Sequence, residues 1–290
     1  MTDNHSVIRT SADQRLTGRM LLCGRANAPL LLCIHGGGCS GRYFDIPGFS
    51  VADLALSQGY DVLLVDRPGY GSSPAGRTAH PITEAADLLP GFLDMILRER
   101  PCPKLVVIGH SIGAAVALTV AADHRIPISA VAVSGIGRTP SSAALSWFAR
   151  FGKDSSTAPP TELFFGPKGS YDWRAPIALR NAAEAWRLDE VHETLVEWPR
   201  RFDAIAAHVT VPVSIHLAEH EAIWQREEVT TGALAAKFGR SPHVVSGLLP
   251  AGGHLYEIHV NGAQMVQEQL AFLGTACVQQ PSPGRHGSLP

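Results

Sequence analysis

Short runs of apolar residues, bounded by polar or turn-forming residues, recur along the chain. Runs of this kind without polar alternation are typical of strands that are buried on both faces of a sheet. The stretches between them carry apolar residues at every third or fourth position, which predicts helices. The predicted strands span residues 30–34, 62–65, 105–108, 130–133 and 211–215, and the predicted helices span residues 51–58, 82–98, 111–123 and 258–273.

The regular alternation of strands and helices predicts an α/β fold, in which helices flank a mostly parallel central sheet. The stretch between the fourth and fifth predicted strands is far longer than a crossover helix requires. Residues 138–208, which we name the inserted segment, are therefore predicted to form a helical cap. Residues 1–137 and 209–277 are then the two parts of the core. Residues 278–290 are rich in Pro, Gly and Ser, and we expect a disordered tail.

The inserted segment contains four of the five tryptophans, Trp147, Trp173, Trp186 and Trp198. Large aromatic side chains dominate buried surface wherever they occur, so these residues could simply form the core of the cap. They could equally line an apolar substrate pocket beneath it. On the second interpretation, Trp147, Trp173 and, beyond the segment, Trp224 are candidate substrate-binding residues.

Composition narrows the classes of function. Hydrophobic residues make up 45% of the 290 residues and charged residues 17%, which is typical of a largely buried globular chain. The 24 basic and 26 acidic residues give a net charge of −2 without a basic run, so we expect no nucleic-acid partner. No apolar run is long enough for a membrane span, and the polar start lacks the pattern of a secretory signal. The five cysteines lack Cys-x-x-Cys spacing, which indicates a reduced, cytoplasmic protein.

The predicted strand 105–108 leads directly into Gly109-His110-Ser111-Ile112-Gly113, and a helical stretch follows. This is the pattern Gly-x-Ser-x-Gly in a strand–turn–helix context, where a sharp turn exposes the serine hydroxyl and the glycines avoid collisions with neighbouring backbone. The pattern makes Ser111 a candidate nucleophile and His110 a candidate substrate contact. A strand-to-helix turn without any catalytic role stays open as the alternative.

From about residue 16 to residue 273 the chain resembles the α/β-hydrolase superfamily, in particular its capped, esterase-like and lipase-like serine hydrolases. Besides the serine turn, the resemblance rests on His35-Gly36-Gly37-Gly38 after the first predicted strand and on Asp-Arg-Pro-Gly-Tyr-Gly-Ser-Ser at residues 66–73. In the family, backbone N–H groups at the first of these loops and after the nucleophile bind an oxyanion. The resemblance therefore implies Gly37 and Ile112 as donors, with Gly38 in reserve.

A serine nucleophile needs a base and a carboxylate that orients the base. Residues 251–254, Ala-Gly-Gly-His, follow an apolar run and resemble the family's Gly-Gly-His loop, which implies His254 as the base. The family carries its acid in a Gly-x-x-Asp segment. This chain has Ala218 where that glycine stands and Glu221 where the aspartate stands, with Glu219 as the alternative acid.

The remaining histidines give weaker indications of a functional role than His254. His216 and His220 have the i, i+4 spacing that binds metals on a helix, but on a strand this spacing separates them by about 13 Å. We therefore expect no metal site and no cofactor. His259 is predicted to lie on the last helix. His35 is a candidate substrate contact, although its loop could also merely turn the chain.

The resemblance implies a small-molecule substrate and acyl transfer to water through Ser111, with cleavage of an ester, a lactone or a thioester. A serine at the nucleophile position disfavours the epoxide-hydrolase and haloalkane-dehalogenase branches, which use aspartate. Cleavage of a carbon–carbon bond beside a ketone is one alternative. A non-hydrolytic tailoring enzyme or binding protein that retains only the pocket is another. The natural substrate and the oligomeric state stay open, and no membrane partner is expected.

Overall fold

A computed structural model describes residues 6–279 of the chain. Within these residues, eight strands form one sheet: β1 (Ser6–Thr10), β2 (Thr17–Leu21), β3 (Leu30–Ile34), β4 (Asp61–Asp66), β5 (Leu105–His110), β6 (Ile128–Ser134), β7 (Val213–Ala218) and β8 (Val244–Leu249). Their order across the sheet is β1-β2-β4-β3-β5-β6-β7-β8. Strands β3 to β8 are parallel, while β1 and β2 pair antiparallel at one edge. The prediction of an α/β fold with a mostly parallel sheet is confirmed.

Helices cover both faces of the sheet. They are α1 (Val51–Ser57), α2 (Pro81–Glu99), α3 (Ile112–Asp123), α4 (Ser142–Phe151), α5 (Thr161–Phe165), α6 (Ala175–Leu179), α7 (Leu188–His192), α8 (Trp198–His208), α9 (Glu227–Thr230) and α10 (Gly262–Gln279). Helix α3 packs against α2, α8 and strands β5 and β6, and α1 packs against α10. Every side chain from 112 to 118 in α3 is buried, because this Ala- and Val-rich helix is covered on all sides.

The inserted segment contains α4 to α8, with a π-helical turn at Glu193–Glu197 between α7 and α8. Helix α8 returns to the core, where the Trp198 indole N–H donates to the Gly137 carbonyl at 3.0 Å. Both Trp198 and Phe202 are fully buried. The division of the chain into a core, a cap and a tail stays a prediction, and residues 280–290 of the expected tail lie outside the described residues.

The last helix begins later than the sequence pattern indicates. Helix α10 starts at Gly262, after a 3-10 turn at Tyr256–Ile258, and His259 lies between the two. The His259 ring contacts the carbonyls of Leu255 at 2.8 Å and Phe165 at 2.7 Å. These contacts with loop backbone hold residues 256–261 in a turn, so the expectation that His259 lies on the helix is wrong.

Strand β7 begins two residues later than the predicted strand at residues 211–215 and ends three residues later. Its pairing with β6 begins at Val213, and the apolar residues Leu217 and Ala218 extend it towards the turn that carries the candidate acids. The antiparallel strands β1 and β2 are not apparent from the sequence, since polar and apolar residues are mixed in both. Within residues 6–279, no helix combines the length and the apolar composition that crossing a bilayer would require.

Candidate active site

Ser111 lies in the turn between β5 and α3, with a φ of 53° and a ψ of −120°. A residue with a side chain rarely adopts a positive φ, so this turn stores backbone strain. The two glycines that flank it are required by close packing. A Cβ on Gly113 would lie 1.9 Å from the Ile34 carbonyl oxygen, and a Cβ on Gly109 would lie 2.6 Å from the Gly113 carbonyl oxygen. This close packing explains why glycines flank the serine on both sides.

Three of the predicted site residues come together at the carboxyl ends of the parallel strands. The His254 Nε2 atom lies 2.9 Å from the Ser111 hydroxyl oxygen. On the other side of the ring, Nδ1 lies 2.9 and 3.0 Å from the two carboxylate oxygens of Glu221. Both His254 and Glu221 are buried, and the Ile223 N–H donates to Glu221 at 2.8 Å. This is the geometry of a serine, a base and an acid that orients the base.

The structure brings Glu221, not Glu219, to His254. Glu219 is exposed, and its carboxylate accepts the Ala251 N–H at 2.8 Å, so that it supports the turn before the histidine loop. Ala218, at the position of the family's glycine, ends β7 in extended backbone and accepts the Glu221 N–H at 3.0 Å. Because this backbone is open to any residue, the replacement of glycine by alanine does not disturb the turn.

The predicted oxyanion donors border the same turn. A Cβ on Gly37 would lie 2.7 Å from the Ile112 side chain and 2.9 Å from the Trp186 ring. Within the described residues, the N–H groups of Gly37 and Ile112 have no hydrogen-bond acceptor. The N–H of Gly38 instead donates to the Tyr70 hydroxyl at 3.4 Å. Gly37 and Ile112 are therefore free to bind a ligand oxygen, while the reserve donor Gly38 already has a partner.

The loop is held by a buried arginine that sequence analysis assigned no function. The Arg67 guanidinium donates to the carbonyls of His35 and Gly36, and it pairs with the Glu190 carboxylate. The Arg67 backbone N–H donates to His35 Nε2 at 3.1 Å. Burial, together with the Arg67 charge, holds the pKa of His35 well below its ordinary value. A neutral His35 thus accepts at Nε2 and donates from Nδ1 to the Gly36 carbonyl at 2.8 Å, and its expected contact with substrate stays a prediction.

His110 also lies behind the site rather than beside a substrate. Its ring is buried and stacks on Tyr43, with the ring centroids 5.0 Å apart. Its Nδ1 atom lies 3.1 Å from the Ser134 hydroxyl and 3.3 Å from the Glu257 carboxylate. Burial raises the pKa of Glu257, but the His110 charge and the hydrogen bonds from His110 and Tyr43 outweigh it and lower this pKa overall. His110 lies outside the lining of the cavity at Ser111, and its expected contact with substrate stays a prediction.

A small apolar cavity opens in front of Ser111. Its volume is about 30 Å³, enough for a water molecule but not for a substrate of ordinary size. Trp147 and Trp224 line it, and Thr194 adds a hydroxyl group; a role of the two tryptophans in substrate binding stays a prediction. Trp173 is 74% exposed and lies outside the cavity lining, and its expected role in substrate binding stays a prediction. The remaining aromatic lining is Phe164 and Trp186.

One group of side chains within the described residues could hold a metal ion, and it lies apart from the cavity lining. His80, Glu193 and Glu197 bring ligand atoms within 4.8 Å of one another near the start of α2. The Glu193 carboxylate already accepts the Ile82 N–H at 2.6 Å and pairs with Arg201 at 3.1 Å. Helix capping and ion pairing therefore account for Glu193 without a metal.

Residues 31–268 match the model of the alpha/beta hydrolase family. The chain is 38% identical over 107 residues to the magnesium-chelatase 30 kDa subunit of Rhodobacter capsulatus; this match covers 36% of the chain and about a third, 34%, of that protein.

Among solved structures, the chain is similar to E-2-(acetamidomethylene)succinate hydrolase, with a TM-score of 0.67 and 20% identity over 93% of this chain and 100% of the other. It is also similar to a thermophilic esterase from Thermogutta terrifontis in its malate-bound form, with a TM-score of 0.68 and 18% identity over 94% and 99% of the two chains. At these identities, both likenesses concern the fold.

Proposed function

Since this chain belongs to the α/β-hydrolase family, we propose that it is a serine hydrolase that cleaves a carboxylic ester, a lactone or a thioester of a medium-sized, largely apolar small molecule. The observation that carries the proposal is the 2.9 Å contact between the Ser111 hydroxyl and His254 Nε2, with Glu221 on the opposite nitrogen. A hydroxyl at this distance can pass its proton to the imidazole as it attacks a carbonyl.

The reaction proceeds in two halves. Ser111 attacks the substrate carbonyl while His254 takes its proton, and the Glu221 carboxylate stabilises the imidazolium that forms. The N–H groups of Gly37 and Ile112 bind the negative oxygen of the tetrahedral intermediate. His254 then protonates the leaving group, which leaves an acyl group on Ser111. A water molecule, deprotonated by His254, releases the acid and restores the serine.

The cavity supports a largely apolar substrate. Its lining contains aromatic and aliphatic side chains and, among the described residues, no arginine or lysine. The solved hydrolase whose name specifies a substituted succinate acts on an acidic compound, whereas the lining here offers no cation to pair with carboxylates. Because the cavity admits only water-sized molecules, the inserted segment acts as a cap that moves to admit substrate.

The test is hydrolysis of p-nitrophenyl esters of increasing acyl length, with a vinylogous diketone as a parallel substrate. Ser111→Ala should lower kcat by about 10⁴-fold or more. The matched control is Ser57→Ala, which removes an exposed hydroxyl on α1 and should leave the rate unchanged. A fluorophosphonate should label the protein at Ser111 by mass spectrometry. Turnover of the diketone alone would favour carbon–carbon cleavage, and an active Ser111→Ala enzyme would exclude a serine mechanism at this position.

A further inference from the structure

We propose that Arg67 and Glu190 are positioning residues that aim the Gly37 N–H at the reacting carbonyl, and that they do so only while the inserted segment is docked on the core. The inference rests on the proposed function, in which Gly37 is an oxyanion donor. It adds that the direction of this N–H depends on a contact between Arg67 in the core and Glu190 in the inserted segment.

The direction of the Gly37 N–H is fixed through the peptide group that it shares with the Gly36 carbonyl. That carbonyl accepts hydrogen bonds of 2.8 Å from Arg67 Nη2 and from His35 Nδ1, and the His35 carbonyl accepts one of 2.9 Å from Arg67 Nε. A trans peptide group is planar, with its N–H pointing opposite to its carbonyl. While Arg67 holds the Gly36 carbonyl, the Gly37 N–H must therefore face away from Arg67 and stay free of internal partners.

Glu190 on α7 is the partner that keeps Arg67 in place. Arg67 and Glu190 are 1% and 0% exposed, and the guanidinium Nη1 atom pairs with one carboxylate oxygen. The Tyr70 hydroxyl donates to the other oxygen and accepts the Gly38 N–H. The peptide groups on both sides of Gly37 are thus each connected, through one side chain, to the same carboxylate.

Undocking of the inserted segment would remove this support. A buried guanidinium without its carboxylate is strongly unfavourable, so Arg67 would turn towards water, and the Gly36 carbonyl would lose one of its two donors and keep only His35 Nδ1. The same movement would withdraw Trp186. Its ring lies 2.9 Å from the position that a Cβ on Gly37 would take and 2.7 Å from that of a Cβ on Gly38. Docking of the inserted segment against the core would therefore complete the oxyanion site.

The experiment compares Glu190→Gln with Glu193→Gln in the full chain. Glu193 is a matched control because it is also 0% exposed, also lies in the inserted segment and also bonds to the core, but at the start of α2 rather than at the glycine loop. Both variants are assayed with an aryl ester and with the corresponding thionoester. A thiocarbonyl sulfur is a weak hydrogen-bond acceptor, so its hydrolysis depends less on an aimed N–H.

We expect Glu190→Gln to lower kcat for the oxygen ester by about 10- to 100-fold, somewhat less than the loss of a whole oxyanion donor, with KM within about 3-fold. The rate ratio of ester to thionoester should fall in this variant and stay at the wild-type value in Glu193→Gln. Equal ratios in the two variants, or an unchanged kcat in Glu190→Gln, would overturn the inference.

Two further measurements distinguish failure of the positioning role from misfolding of the variant and from failure of the proposed function. If Glu190→Gln is not recovered folded, Tyr70→Phe removes the link between Glu190 and the Gly38 N–H and should lower the same ratio, whereas an unchanged ratio would overturn the inference. If the wild-type protein hydrolyses no ester and is not labelled by fluorophosphonate, the proposed function itself fails. An active wild type with indistinguishable Glu190 and Glu193 variants would reject only the positioning role.

Discussion

The Glu257 carboxylate lies 3.3 Å from His110 Nδ1, and the His110 ring centroid lies 5.1 Å from that of His254. His110 and Glu257 are 1% and 3% exposed. A second histidine–carboxylate pair thus lies behind the candidate catalytic pair, and the Tyr43 hydroxyl donates to Glu257 at 2.5 Å. A buried pair of this kind contributes little net stability as a whole, but the loss of one member leaves the other unpaired in a medium of low polarity.

Glu257→Gln should therefore lower the free energy of unfolding by about 3 kcal/mol, measured by urea denaturation. The glutamine keeps the shape of the side chain and can still accept a hydrogen bond from Tyr43. The loss of stability therefore reports the missing negative charge beside His110. Tyr43→Phe, which removes only one hydrogen bond, should cost about 1 kcal/mol and serves as the comparison. A Glu257→Gln protein as stable as the wild type would show that the carboxylate is not needed there.

Separate replacement of each candidate acid by glutamine gives a second prediction. Glu221→Gln should lower kcat/KM by about 10³- to 10⁴-fold, because an amide cannot hold His254 in the required tautomer or stabilise the imidazolium. Glu219→Gln should change it by less than about 3-fold, since that side chain supports only the turn at Ala251. Steady-state kinetics on one ester distinguish the two, and a larger loss at Glu219 would reverse the assignment of the acid.

The positive φ of Ser111 predicts a conflict between stability and activity. Ser111→Gly should be inactive but more stable than Ser111→Ala by about 1–2 kcal/mol, since glycine adopts this backbone conformation without a steric penalty. Thermal unfolding of the two variants measures the difference. Identical melting temperatures would mean that the turn at Ser111 is not strained.

The fold could be predicted because its central strands are buried on both faces and appear in the sequence as uninterrupted apolar runs. In β3 and β5 every residue is buried, and their predicted positions agree with the structure to within two residues. The strands β1, at an edge of the sheet, and β2, beside it, could not be found in this way, because polar residues such as Arg9 and Arg19 interrupt their apolar residues.

The local motifs of the candidate site could likewise be recognised, since each lies in one turn after one strand. Neighbouring parallel strands end at the same edge of the sheet, which is why Ser111, Glu221 and His254 meet there. The supporting contacts could not be predicted from the sequence. Arg67 and Glu190 are 123 positions apart, and no periodicity or motif connects residues across such a distance.

A largely buried histidine in β7, His216, makes the stability of the protein depend on pH. Burial lowers the pKa of His216 from its ordinary value of 6.5 to about 4. Between these two pH values the unfolded chain binds a proton at this position and the native chain does not. The free energy of unfolding is therefore highest above pH 6.5 and falls as the pH decreases towards 4, by about 1.4 kcal/mol per unit and about 3 kcal/mol in all. His35, whose pKa is also lowered by burial, acts in the same direction.

His216→Asn should remove part of this dependence, because asparagine does not titrate. Urea denaturation of the variant and the wild type at several pH values between 4 and 7.5 measures it. We expect the variant to lose less stability than the wild type on acidification, by about 3 kcal/mol over the full range, whatever the stability of each at neutral pH. His208→Asn, which replaces an exposed histidine at the end of α8, is the control and should follow the wild-type curve. Parallel curves for the wild type and His216→Asn would mean that His216 takes up its proton equally well in the folded and unfolded chains, contrary to the effect of its burial.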